Sequence, residues 1–167
     1  SFDDPVLEER RQQALAQIRQ IGDPVLRTPA APIEVFDEAL RDEAARMMEL
    51  MHSARGVGLA APQIGRVRRL IVIDPFEDEP PVALVNPDIT WYSDETEPGD
   101  EGCLSIGEIS VSVDRATAIR VAAQDVQALH QGQACVDHGG ELPGEDHQVL
   151  LLHAAAPDKG QHAKELL

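Results

Sequence analysis

The spacing of apolar residues predicts two helices in the first third of the chain. The segment from Pro5 to Ile21 is polar except for a thin apolar stripe, which predicts a short helix. Asp37 is a good N-cap for a second helix that runs to about Ser53. Apolar residues recur on one face of this second helix, at Leu40, Ala44, Met47, Met48 and Met51. We interpret its methionines as core-filling side chains and not as a binding surface.

Strand patterns dominate the middle of the chain. Short runs rich in β-branched residues, separated by turn residues, predict strands at 69–74, 82–86, 89–92, 109–113 and 117–123. Two acidic segments, 77–79 and 94–101, are predicted to be solvated loops. Neither has the spaced aspartates and glycine of a calcium-binding loop.

The pattern changes beyond about Gln124. Residues 93–167 contain no aromatic side chain of the Phe, Trp or Tyr type, and five of the six histidines lie after position 129. Glycines and prolines interrupt the weak helical periodicity. The sequence therefore predicts that about 125–167 is atypical, and poorly packed or partly disordered.

Charge and composition exclude several classes of protein. Lys and Arg total 14 against 30 Asp and Glu, which gives a net charge of −16 and argues against nucleic acid and anionic membrane surfaces as partners. No apolar run is long enough to cross a membrane, and the N-terminus lacks a signal pattern, so we expect a cytoplasmic protein. The length of 167 residues fits one domain.

Two short segments carry the candidate chemistry. The first, GVGLAAPQIG at 56–65, contains Gln63, a neutral amide among small apolar residues. Gln63 either caps a turn or donates a hydrogen bond to a polarised carbonyl oxygen. The second, EGCLS at 101–105, contains Cys103, which is a buried apolar residue, a nucleophile or a metal ligand. No two histidines of the C-terminal part have the spacing of a metal-binding pair on one helical face.

The two segments, in this order, resemble the first two signatures of the peptide deformylases. The likeness runs from about Ile18 to Gln124. It implies a single α+β domain over 1–167, with antiparallel sheets around a central C-terminal helix and a further helix at the N-terminus. It also implies metal-dependent hydrolysis of the formyl group from N-formylmethionyl peptides or nascent chains.

The resemblance also implies roles for individual residues. One Cys and two His bind Fe(II) in that family, or Zn or Ni in its place, and Cys103 matches the thiolate ligand. Gln63 and the backbone N–H of Leu104 match the groups that stabilise the oxyanion. The substrate side of the site matches six further residues: Gly56, Val57, Gly58, Leu59, Glu101 and Gly102.

The third signature of the family, a helix carrying His-Glu-x-x-His, is not intact here. The best alignment is over 151–157, where His153 matches the first ligand, Ala154 replaces the catalytic Glu, and Pro157 replaces the second His. His147 is the less suitable alternative ligand. A deformylase with an unusual pair of histidines is thus one hypothesis, and an inactive deformylase-like protein without metal, which at most binds peptides, is another. A third is an acidic interaction module without a pocket. The loss of the Glu and of one His predicts poor or no turnover.

Overall fold

A computed structural model describes residues 4–74, 80–126 and 148–153. These residues form two α-helices, α1 (Pro5–Leu15) and α2 (Glu38–Ser53), and two short 3-10 turns at Pro24–Arg27 and Ala61–Ile64. The strands are β1 (Gly58–Ala60), β2 (Leu70–Ile73), β3 (Val82–Tyr92), β4 (Thr96–Gly102), β5 (Ser110–Ala116), β6 (Ala118–Asp125) and β7 (Gln148–His153). The predicted α+β class with an N-terminal helix is confirmed.

Both helices begin at an aspartate that accepts a backbone hydrogen bond. Asp37 accepts from the N–H of Leu40 at 3.0 Å, and Asp4 accepts from the N–H of Val6 at 2.9 Å. These bonds satisfy donors that the first turn of a helix leaves without a partner. The predicted boundaries of α2 are confirmed, whereas α1 ends at Leu15 and not near Ile21.

The strands form two antiparallel sheets. The larger sheet has the order β1-β2-β3-β6-β7, and β4 pairs with β5 in a separate two-stranded sheet. β2 is buried along its whole length, and α2 packs against β1 and β2. Met47 and Met51 have no exposed surface, so their prediction as core residues is confirmed.

One bent strand replaces two predicted ones. Residues 82–86 and 89–92 belong to β3, which bends at Asn86 and shifts register against β6 after Val85. Asn86 has a φ of 52°, in the left-handed region. Pro87 follows it at the irregularity, where a strand tolerates a residue without an N–H.

The prediction of a loop over 94–101 is wrong, because residues 96–102 form β4. The backbone of β4 pairs residue by residue with β5, from Thr96 opposite Ala116 to Gly102 opposite Ser110. Most side chains of β4 are exposed, so acidic residues remain hydrated in this strand. An outward-facing strand does not need the apolar alternation used to predict strands.

The alignment of 151–157 with a helix does not agree with the described residues. Gln148–His153 form β7, which pairs antiparallel with β6 so that Leu150 lies opposite Val121 and His153 opposite Ala118. Four consecutive apolar residues, 149–152, suit a strand at this position. Residues 127–147 and 154–167, and with them most of the segment predicted to be atypical, lie outside the described residues. Neither described helix is long and apolar enough to span a membrane.

Candidate active site

Gln63 lies in the tight turn that follows β1. The turn Ala61–Ile64 ends at Gly65, whose φ of 80° requires the left-handed conformation that glycine adopts readily. The Gln63 side chain is buried, with 6% of its surface exposed. Its Oε1 accepts a hydrogen bond from the backbone N–H of Ala60 at 2.9 Å. This bond fixes which end of the amide faces outward from the turn.

The amide nitrogen of Gln63 points to the loop that follows β4. Nε2 donates to Ser105 Oγ at 3.0 Å and lies 3.6 Å from Cys103 Sγ. The structure thus brings together the two residues that the sequence singled out. The turn-capping interpretation of Gln63 agrees with the bond from Ala60, and its role as a donor to a carbonyl oxygen stays a prediction.

A connecting segment after α1 holds the turn and the loop together. The N–H of Arg19 donates to the Gln63 carbonyl at 2.6 Å, and the N–H of Ile21 donates to the Ser105 carbonyl at 2.8 Å. Gln20 Nε2 donates to the Leu104 carbonyl at 3.1 Å. The backbone N–H of Leu104 has no acceptor among the residues that the structure describes.

Glu101 supports the same loop from the end of β4. Glu101 is 3% exposed, and both of its carboxylate oxygens accept from Arg115, each at 2.8 Å. A two-pronged guanidinium–carboxylate pair fixes geometry as well as charge. Sequence reasoning missed Arg115, because its contact depends on the pairing of β4 with β5. It also assigned no role to Ser105 or Gln20, although Ser105 lies within the EGCLS segment.

The predicted substrate side lies along β1. Gly58 and Leu59 are in this strand, which is an outer strand of the larger sheet and pairs only with β2 among the described strands. Val57 precedes the strand, and its carbonyl accepts from the N–H of Asp74 at 2.8 Å. Gly56 lies against the loop, because a Cβ at this position would come within 2.7 Å of the Leu104 side chain. Gly102 is the last residue of β4.

Cys103 is suited to be the thiolate ligand of the implied metal site. The side chains of the other candidate ligands lie outside the described part of the chain. The Cys103 thiol is free and partly exposed, so it is open to a metal ion. Among the side chains that the structure describes, no cluster of three or more His, Cys, Asp or Glu residues could hold a metal ion. The side chain of His153 and all of His147 lie outside the described residues.

The chain is similar to known deformylases over most of its length. A family model described as polypeptide deformylase matches residues 15–137. The peptide deformylase of Thermotoga neapolitana is 47% identical over 111 residues, which are 66% of this chain and 66% of the relative. That of Thermotoga petrophila is 45% identical over 150 residues, which are 86% of this chain and 88% of the relative.

Solved structures agree with these sequence matches. The crystal structure of peptide deformylase from Thermotoga maritima has a TM-score of 0.63 at 46% identity, covering 66% of this chain and 74% of that one. A peptide deformylase from Synechococcus elongatus in complex with actinonin has a TM-score of 0.67 at 34% identity, covering 81% of this chain and 64% of that one. The chain therefore belongs to the peptide deformylase family.

Proposed function

We propose that this protein hydrolyses the formyl group from N-formylmethionyl peptides and releases formate. The observation that carries the proposal is the position of the Gln63 amide, tied at Oε1 to the N–H of Ala60 and facing Cys103 Sγ at 3.6 Å. No feature of the described residues favours the inactive alternative or the acidic interaction module.

The oxyanion formed during formamide hydrolysis needs hydrogen-bond donors that are already in place. Gln63 Nε2 is such a donor, because Ala60 and Ser105 hold the amide from two sides. The backbone N–H of Leu104 supplies a second donor next to Cys103 along the chain. In this proposal both donors contact the carbonyl oxygen of the formyl group as it becomes negative.

A metal ion completes the proposed site. We propose that the Cys103 thiolate binds Fe(II), or Zn or Ni in its place, together with His153 and less suitably with His147. When bound, such an ion supplies a Lewis acid and lowers the pKa of a bound water. Cys103 supports the proposal because its thiol is free, partly exposed and beside a fixed donor.

The substrate peptide is proposed to extend along the outer edge of β1. An edge strand offers unpaired backbone groups that an extended peptide binds by strand addition. Gly58 and Leu59 would provide this edge, and Glu101 and Gly102 would support the loop beside it. We propose nascent chains in the cytoplasm as the partners, with no role for nucleic acid or membrane.

The metal content of anaerobically purified protein is the first test. We expect about one iron, zinc or nickel per wild-type chain by mass spectrometry, since metal sites of this class hold one ion. Cys103→Ala should lose the metal and the release of formate from an N-formylmethionyl peptide. Cys135→Ala, a change of the chain's other cysteine, is the matched control and should retain both. Wild-type protein that binds no metal and releases no formate would contradict the proposed function.

Gln63→Leu separates oxyanion stabilisation from metal binding. We expect this variant to retain its metal and to lose about 10²–10³-fold in kcat, as when one oxyanion donor is removed. Gln63→Glu keeps the shape of the side chain but places negative charge where a donor is needed. It therefore tests whether the shape of this side chain alone is enough for catalysis. Unchanged kcat in Gln63→Leu would remove Gln63 from the catalytic site.

A further inference from the structure

A cavity apart from the candidate active site lies between the end of α1 and the middle of α2. It has a volume of about 400 Å³. Three arginines line it, Arg19, Arg46 and Arg66, together with Gln17 and the apolar side chains of Leu50 and Ile64. Gln63 and Cys103 are not among its lining residues, so this cavity is separate from the candidate active site.

The charge of this cavity is opposite to that of the chain. The protein carries 30 acidic side chains against 14 Lys and Arg, yet no carboxylate lines the cavity. Among the described residues Arg46 and Arg66 form no ion pair, and Arg46 Nη2 is 3.4 Å from Gln17 Oε1. Arg19 contacts Asp23 at 3.6 Å, and this aspartate does not line the cavity. Two unpaired guanidinium groups facing one cavity in so acidic a chain indicate an anionic ligand.

We propose that the cavity binds a small organic phosphate. Guanidinium groups match the oxygens of a phosphate in a two-pronged geometry, and three arginines line this cavity. Leu50 and Ile64 offer an apolar wall for the carbon part of the molecule. The volume lies within the range of about 300–1,000 Å³ typical of small-molecule sites.

The surroundings favour a small ligand over a nucleic acid. The groove next to the cavity on the α1 side is lined by Glu49 as well as by Arg10. The groove on the other side shares Arg46 and Arg66 with the cavity and is also lined by Asp37, Asp42 and Glu43. Arg68 in this groove is already paired with Glu43 at 3.3 Å. A phosphodiester chain that continued into either groove would meet these carboxylates, whereas a single phosphate group held within the cavity would have none among its lining residues.

Titration with phenyl phosphate tests the proposal. We expect saturable binding with one molecule per chain by isothermal titration calorimetry at constant ionic strength, and weaker binding of inorganic phosphate. Arg46→Gln and Arg66→Gln should each weaken binding about tenfold, as expected when one charged hydrogen-bonding partner is lost. Arg27→Gln is the matched control, because Arg27 is exposed and lies outside the cavity.

The substituted arginines are exposed, so we expect the variants to fold like the wild type. Thermal midpoints measured by circular dichroism check this. Arg66→Lys adds a further comparison, since it keeps the charge and loses the planar fork, and should bind with intermediate affinity. Non-saturable binding, or an equal loss of affinity in Arg27→Gln, would mean that phenyl phosphate is attracted by general positive charge and not by this cavity. Either result would overturn the proposal. Binding of a single-stranded RNA oligonucleotide that Arg46→Gln abolishes, without binding of phenyl phosphate, would also overturn it.

Discussion

At the scale of single residues, the candidate site depends on an amide whose two ends have different partners. The Oε1 of Gln63 accepts from Ala60, so its Nε2 must face Ser105 and Cys103. A glutamine held at one end only would rotate, and its donor would have no fixed position. In the proposed reaction Ser105 would act through Gln63, as a positioning residue.

Ser105→Ala tests this positioning. The substitution leaves a buried donor without its acceptor, and we expect the free energy of unfolding to fall by about 1–2 kcal/mol. We also expect kcat to fall while KM and the metal content stay near their wild-type values, because the substitution removes neither the thiol nor the edge of β1. Ser112→Ala, on the exposed part of β5, is the matched control and should change neither the free energy of unfolding nor kcat. Wild-type kcat in Ser105→Ala would show that Ala60 alone positions the amide.

At the scale of secondary-structure elements, the bend in β3 connects the sheet to the segment before α2. Asn86 Oδ1 accepts from the N–H of Ile33 at 2.8 Å, and Nδ2 donates to the Ile33 carbonyl at 2.9 Å. Nδ2 also donates to Gln124 Oε1 on β6 at 3.2 Å. The Asn86 side chain thus takes the place of a backbone hydrogen-bonding partner for the buried Ile33. It also joins three segments of the chain.

Asn86→Ala should destabilise the fold by about 3 kcal/mol, because it removes these bonds and leaves a residue with a Cβ in the left-handed region. Asn86→Gly removes the same bonds without that backbone strain, so we expect a loss smaller by about 1 kcal/mol. Urea denaturation of the three proteins measures both values. A loss below about 0.5 kcal/mol in Asn86→Ala, the range of ordinary surface substitutions, would contradict this role.

Two elements that the sequence predicted correctly, α2 and β2, have apolar patterns that follow their burial. The stripe of α2, with Asp37 before it, and the apolar run of β2 both report burial directly. β4 was missed because most of its side chains face water and its strand character comes from backbone pairing with β5. The contact of Arg115 with Glu101 was missed for the same reason, since it exists only once these two strands are paired.

At the scale of the whole molecule, the net charge of −16 opposes the compact state by self-repulsion. Few of the described carboxylates have a cationic partner at short distance, and the pairs Glu101–Arg115 and Glu43–Arg68 are among them. The net charge of −16 is left for dissolved cations to balance.

Added salt should stabilise this protein. Raising NaCl from 0.01 to 0.5 M shortens the screening length from about 30 Å to under 10 Å, and we expect Tm to rise by several degrees. Differential scanning calorimetry at constant metal content measures the change, and KCl should act like NaCl because screening does not depend on the ion's identity. A Tm that falls or stays constant would mean that self-repulsion does not limit stability.

The sequence by itself determined the family, the start of α1, the bounds of α2 and the two residues at the centre of the candidate site. These follow from local patterns: apolar spacing, a capping aspartate, and two short segments around Gln63 and Cys103. Only the tertiary structure decided which end of the Gln63 amide faces Cys103, which arginine holds Glu101, and that three arginines share one cavity. Such contacts join residues far apart in the chain, and chain folding and strand pairing, not local spacing, bring them within hydrogen-bonding distance.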